Sequence, residues 1–392
     1  MKSEDTSTCQ ACGARVPAGL DFCPVCAFRG ALDEARETSE LDVELTHSSS
    51  TARFDHYQLL TREDGTPLEL GHGAMGVTYK AVDINLQCAV ALKVINARFI
   101  GDESARRRLV REARAAAKVR HTNVASVFHL GQTGDGYFYA MEYVEGETLE
   151  NLIRRHGPLE VKVALEIVEQ VAAGLAAVHK QNLVHRDIKP SNVMVCPEEG
   201  GGVTAKIIDL GLAKGVGEAA PESAISELGF AGTPEFASPE QFAGIGVDIR
   251  SDLYSLGVTL WQMLTGQVPF RGSPAEVMFQ HLSVPPPLKE LDHMPQPVVS
   301  LVECLLDKDP ASRPQSPTEL HALLCEVSTV LESRSRFQSG NVTQGAIEDG
   351  RGNSLHHNEL DLKGTARQAV LCGEQATALG GYRLNPGILD PS

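Results

Sequence analysis

The sequence predicts an α+β fold of two unequal lobes. From Tyr57 to Glu142 its apolar residues come in short, β-rich runs, whereas from Leu149 onward they recur at helical spacing over long segments. The pair Glu145-Gly146 stands at the join, and Gly146 suits a hinge. A small β-rich lobe followed by a larger helical one leaves a cleft between them, where a ligand site is expected.

In order, strands are expected over 57–61, 68–71, 77–82, 89–95, 125–130 and 136–141, interrupted by one amphipathic helix at 102–119. Helices are expected over 160–180, 252–264, 274–282, 297–306 and 318–331. Ahead of the lobes, residues 1–30 hold a cysteine cluster, and residues 31–53 are acidic and then Ser/Thr-rich, which reads as a solvated linker. The large domain spans 54–330. Residues 331–392, whose only aromatics are Phe337 and Tyr382, read as a disordered tail.

With 392 residues, 42% of them hydrophobic, the chain suits one large folded domain plus smaller pieces. A net charge of −16 argues against a general nucleic-acid or anionic-membrane surface, so no nucleic-acid partner is expected. No run approaches the ~18 uninterrupted apolar residues of a membrane span. The opening Met1-Lys2-Ser3-Glu4-Asp5 lacks the apolar core of a signal peptide, and the expected address is the cytoplasm. Cys88, Cys196, Cys304, Cys325 and Cys372 are scattered singly and read as small side chains rather than disulfides.

The densest chemistry lies in His185-Arg186-Asp187-Ile188-Lys189-Pro190-Ser191-Asn192 and in Asp209-Leu210-Gly211. Asp187 offers a carboxylate to receive a hydroxyl proton, Lys189 a cation, and Asn192 and Asp209 hard oxygen ligands for Mg²⁺ or Mn²⁺. That set suits passing the γ-phosphoryl of a nucleoside triphosphate to an alcohol. Upstream, Gly71-His72-Gly73-Ala74-Met75-Gly76 lies between strand-like segments, where glycines let backbone N–H groups approach phosphates. Alone this pattern also marks dinucleotide-binding turns, but those open a helix, and here Val77 begins another strand. Lys93, in the apolar run Val90-Ala91-Leu92-Lys93-Val94-Ile95, is costly to bury unless paired.

Together these motifs resemble the eukaryotic-like bacterial serine/threonine protein kinase family over residues 54–330. The resemblance implies the two-lobed protein kinase fold, Mg-ATP between the lobes and Ser/Thr hydroxyls of proteins as acceptors. It implies Asp187 as base and positioning group, Lys189 at the γ-phosphate, and Lys93 at the α/β-phosphates, held by Glu112 of the 102–119 helix. It implies Asn192 and Asp209 as Mg²⁺ ligands. ATP contacts are expected from Gly71, His72, Gly73, Ala74, Met75, Gly76, Val77, Ala91, Lys93, Glu142 and Val144. Glu240 is expected to pair with Arg313, and Asp252 to open its helix and cap the catalytic-loop backbone. Arg186 would meet a phosphate on the activation segment, which offers Ser223 and Ser226; Glu218, Glu222 and Glu227 read as solvated loop residues, and the alternative is that one of them partly stands in for that phosphate. The cluster Arg106, Arg107, Arg108, Arg111 and Arg114 reads as a solvated helix face. Leu210 for Phe, Ser238 for Ala and Thr78 for the Val over adenine depart from the pattern, and none removes a catalytic atom. The rivals are a catalytically silent ATP-binding scaffold and a small-molecule kinase, the latter disfavoured by the pattern of residues 232–240.

Cys9-x-x-Cys12 and Cys23-x-x-Cys26 are two knuckles separated by ten residues, with Gly13 and Pro24 suited to their turns. Four thiolates in tetrahedral reach favour a closed structural Zn²⁺ site, and so short a segment would need the metal to fold. Iron, or redox use of the cysteines, is the alternative. The segment resembles a zinc ribbon. Its sparse basic residues, Lys2, Arg15 and Arg29, point to a protein partner rather than nucleic acid.

Overall fold

The computed structural model describes residues 7–8, 15–16, 53–73, 76–96, 103–133, 136–198, 202–210 and 233–340. The four clustered cysteines, Ala74, Met75, the activation-segment serines and glutamates, and residues 341–392 lie outside the described residues. At the N-terminus β1 (Ser7–Thr8) and β2 (Arg15–Val16) pair antiparallel.

The small lobe comprises β3 (Arg53–Phe54), β4 (Tyr57–Leu59), β5 (Glu69–Gly73), β6 (Gly76–Asp83), β7 (Cys88–Ile95), α1 (Glu103–Ala116), β8 (Val127–Thr133) and β9 (Gly136–Glu142). Its antiparallel sheet runs β3-β4-β6-β7-β9-β8, with β5 added on β6. Register places Thr78, Lys93 and Tyr139 side by side across β6, β7 and β9. The strand period of two then divides the apolar residues between faces. Tyr57, Leu59, Ala81, Val90, Leu92, Phe138 and Ala140 form one cluster. Ala91, Ile95, Tyr139 and Met141 join the main core, as do Ala105, Leu109, Ala113 and Ala116 at helical spacing on α1.

Gly146 joins the lobes at φ 142°, and a Cβ there would lie 2.6 Å from the Val195 carbonyl oxygen, so only glycine fits. The large lobe follows: β10 (Glu147–Thr148), α2 (Leu149–His156), α3 (Val161–His179), β11 (Val193–Pro197), β12 (Val203–Ile207), α4 (Pro239–Ala243), α5 (Ile249–Thr265), α6 (Pro274–Ser283), α7 (Gln296–Leu305) and α8 (Pro317–Gly340). Helix α2 was not expected from the sequence. It buries only Leu149 and Ile153, too weak a stripe to stand out, and the Thr148 hydroxyl caps it by accepting from Asn151 N at 3.2 Å. Helix α5 begins under an Asp248 N-cap, one turn before the expected start at Asp252. It is buried almost all round and forms the lobe's centre with Trp261. At Gly257 a Cβ would come within 2.7 Å of Leu305 Cβ, which marks the close crossing of α5 and α7. Helix α8 continues to Gly340, past the tail boundary set at 330. Among the described residues no helix is long and apolar enough to cross a membrane.

The expected Glu240–Arg313 pair is present. The buried Arg313 guanidinium donates to both Glu240 oxygens at 2.7 and 3.0 Å, and the Ser251 hydroxyl adds a third donor at 2.6 Å. Burial pushes the Glu240 carboxyl up, but these donors outweigh it and hold it below its usual range.

His281 of α6 is fully enclosed. One ring nitrogen lies 2.9 Å from the Tyr254 hydroxyl and the other 3.1 Å from the Glu235 carbonyl oxygen, which ties α6 to the segment 233–238. Burial, and then the nearby Lys308 ammonium, push its pKa down to about 3. The unfolded chain, with an ordinary imidazole pKa of ~6.5, takes up a proton that the fold refuses, so this contribution is lost as pH falls through 6.5 toward 3. His281→Gln keeps a donor and an acceptor but cannot ionise. Between pH 7 and pH 5, urea unfolding is expected to show the wild type losing about 2 kcal/mol more than this variant.

Candidate active site

The cleft between the lobes is a cavity of about 820 Å³. Gly71, His72, Gly73, Gly76 and Thr78 line it from β5 and β6, Ala91 and Lys93 from β7, and Met141 to Val144 along the connection to the large lobe. From below come Asp187, Lys189, Ser191, Asn192, Met194, Ile208, Asp209 and Thr233. Residues as far apart in sequence as 71 and 233 therefore converge on one space. Val77, expected among the contacts, does not line it: Thr78 does, and the strand period sends Val77 to the other face. Met194 and Ile208, on or beside β11 and β12, are lining residues not anticipated, because an isolated apolar residue carries no sequence signal for a ligand.

The catalytic loop is held from beneath by α5. Asp252, entirely buried, accepts from His185 N at 2.8 Å and Arg186 N at 2.7 Å, as expected of it. Arg186 sits at φ 63°, a left-handed turn that these two acceptor contacts stabilise. Desolvation dominates the Asp252 carboxyl and raises it to about 7, against the two backbone N–H groups. A one-turn 3₁₀ helix, Pro190–Asn192, then returns the chain so that Asn192 Nδ2 donates to the Asp187 carbonyl at 2.8 Å and to its Oδ2 at 3.0 Å. Lys189 Nζ lies 3.1 Å from Asp187 Oδ2 and donates to the Thr233 hydroxyl at 2.6 Å. One carboxylate oxygen thus has an amide and an ammonium beside it, which fixes its aim.

Asp209 also takes a left-handed turn, at φ 60°. Its Oδ1 accepts from the Tyr139 hydroxyl at 2.6 Å, and its Oδ2 takes a hydrogen bond from Lys93 Nζ. Burial raises the Asp209 carboxyl, but the Lys93 ammonium and the Tyr139 hydroxyl overcome it and leave it at about 2. The carboxylate against Lys93 is therefore Asp209, while Glu112 lies half-buried on α1. Tyr139 is a partner of the site carboxylate that no motif points to. Its signal is positional: it is the cross-strand partner of Lys93, and the amine stands 5.9 Å from its ring centre. Leu210 is buried in the core, so the apolar swap at that position preserves packing.

The family model of the protein kinase domain matches residues 67–324. The chain belongs to the protein kinase family. Among curated proteins, this kinase chain is 35% identical over 332 residues to serine/threonine-protein kinase pkn3 of Myxococcus xanthus, covering 82% of this chain and 60% of that protein. It is 38% identical over 270 residues to pkn2 of the same organism, covering 67% of this chain and 32% of that protein. The chain thus spans less than two thirds of the length of these relatives. Among solved structures, the PknI kinase domain of Mycobacterium tuberculosis superposes with a TM-score of 0.56 at 27% identity, over 71% of this chain and 98% of that one. These likenesses carry the kinase fold expected from the motifs; they show no metal at the cysteine cluster, whose zinc remains an expectation.

Replacing Asp252 by alanine leaves two buried N–H groups beneath the catalytic loop without their acceptor, at about 1–3 kcal/mol each. Asp252→Ala is expected to lower phosphotransfer kcat at least tenfold while leaving nucleotide affinity within a few-fold. An equal loss in both, measured by steady-state kinetics and nucleotide titration, contradicts this role.

Proposed function

We propose that the chain is a serine/threonine protein kinase that moves the γ-phosphoryl of Mg-ATP to Ser/Thr hydroxyls of proteins, in bacterial signalling and in the cytoplasm. The observation that carries this reading is the meeting of Asp187, Lys189, Asn192, Asp209 and Lys93 around one cleft. The donors fit the implied metal: Asn192 spends its amide nitrogen on Asp187 and keeps its carbonyl oxygen, and Asp209 remains ionised, so both offer hard oxygens suited to Mg²⁺. When bound, the ion neutralises phosphate charge.

The chain's own part is positioning and charge. Asp187, steadied by Asn192 and Lys189, orients the substrate hydroxyl and accepts its proton late in transfer. Lys189 faces the charge on the transferred group. Lys93, in the nucleotide-bound state, turns from Asp209 to the α/β-phosphates and is held there by Glu112. Glycines 71, 73 and 76 let the β5–β6 hairpin lie over the phosphates, and Ala91, Glu142 and Val144 flank the base.

Asp187→Asn is expected to reduce transfer from radiolabelled ATP to a generic protein substrate by roughly two to four orders of magnitude with nucleotide affinity retained. No label with the wild type favours the silent scaffold, and label on small alcohols alone favours a small-molecule kinase.

The cysteine module is proposed as a zinc ribbon that contacts a protein partner. The antiparallel pairing of β1 with β2, on either side of residues 9–14, supports a knuckle at Cys9 and Cys12. Metal analysis of the purified chain is expected to find about one zinc fewer in Cys9→Ser/Cys12→Ser than in the wild type; equal content rules the ribbon out.

A further inference from the structure

Away from the cleft, Asp55, His56 and His129 bring one ligand atom each to within 4.8 Å of one another. Asp55 and His56 form the turn between β3 and β4, and His129 lies on β8. These strands stand toward opposite ends of the sheet order, yet the His56 and His129 rings stack with centres 5.5 Å apart. The sheet curls until its margins meet, and this trio sits on the seam.

We infer that the seam is a binding site for a borderline divalent cation of the Zn²⁺ class, held by Asp55, His56 and His129. His56 Nδ1 lies 3.2 Å from Asp55 Oδ2, close to the ~3.3 Å edge of a tetrahedron with metal–ligand bonds of ~2.0–2.1 Å. The other ring nitrogen of His56 is 3.5 Å from Asp83 Oδ2. Asp83 is itself buried, and its Oδ1 accepts from Asn85 N and Leu86 N at 2.9 and 3.0 Å, so the carboxylate is fixed before any ion arrives. A carboxylate behind a ligating imidazole is the usual support of such a ligand. An ordinary His–Asp pair accounts for His56 but not for His129, whose Nδ1 is enclosed and has no hydrogen-bond partner. A buried imidazole nitrogen left unpaired is costly, and coordination removes the cost. Asp55 is exposed, which leaves an entry path and a place for water as fourth ligand.

The site joins the β3–β4 margin to β8, so the bound ion staples the small lobe. Two imidazoles and one carboxylate select Zn²⁺, Co²⁺ or Ni²⁺ over Mg²⁺. The test uses the full chain and its Cys9→Ser/Cys12→Ser/Cys23→Ser/Cys26→Ser variant, which separates this site from the cysteine module. Calorimetric titration of the cysteine variant with Zn²⁺ is expected to show about one site and a raised melting temperature, with no such response to Mg²⁺. Adding His129→Ala abolishes both, and adding Asp83→Asn, which keeps the turn's acceptor, weakens binding roughly 10–100-fold. Should His129→Ala fail to fold, Asp55→Asn serves instead: asparagine tolerates the φ of 54° at this exposed turn, and affinity is expected to fall at least tenfold. Absence of Zn²⁺ binding in the cysteine variant overturns the site, as does binding that none of these substitutions changes.

Discussion

The candidate active site depends on a buried carboxylate that does not itself line the cleft. Asp252 lies within helix α5, which is buried almost all round, and receives two consecutive backbone N–H groups from the catalytic loop. The loop turns through a left-handed residue at Arg186, and without an acceptor those two N–H groups would be stranded in the core. Because α5 is buried almost all round, the position of Asp187 is inherited from the packing of that lobe. The cost of dehydrating Asp252, visible in its raised pKa, is offset by the order it imposes above.

The same logic runs through the cleft's charges. Lys93 and Asp209 come from different lobes, and each would be expensive to bury alone. Their contact, with Tyr139 donating to the second oxygen, leaves the carboxylate ionised at any ordinary pH. Gly146 links the lobes where a Cβ would collide with Val195, so the two halves meet at a tight joint rather than a loose tether. At the far side of the large lobe, Glu240, Arg313 and Ser251 form a satisfied buried network that anchors the segment following Thr233.

The small lobe closes differently. Its core is two thin apolar layers, and its sheet margins meet through the rings of His56, Tyr57, His129 and Phe138. Ring packing supplies cohesion there, but it leaves one imidazole nitrogen unanswered, and the metal site drawn from it would convert a soft seam into a fixed one.

Much of this protein was determined by local sequence. The change from short β-rich runs to long helical ones set the two lobes, and fixed-spacing motifs named Asp187, Lys189, Asn192, Asp209 and Lys93, because chemistry at a phosphate tolerates few side-chain types. Tertiary structure decided what spacing does not encode. Thr78 rather than Val77 faces the cleft because strand register fixes which alternate residue turns inward, and Tyr139 meets Asp209 because β9 lies beside β7. The eight-residue helix α2 escaped notice because its stability comes from a cap and two buried side chains rather than from a long periodic stripe. Asp55, His56 and His129 carry no motif at all; they meet because a twisted sheet curls, and that curvature is a property of the whole lobe rather than of any one strand.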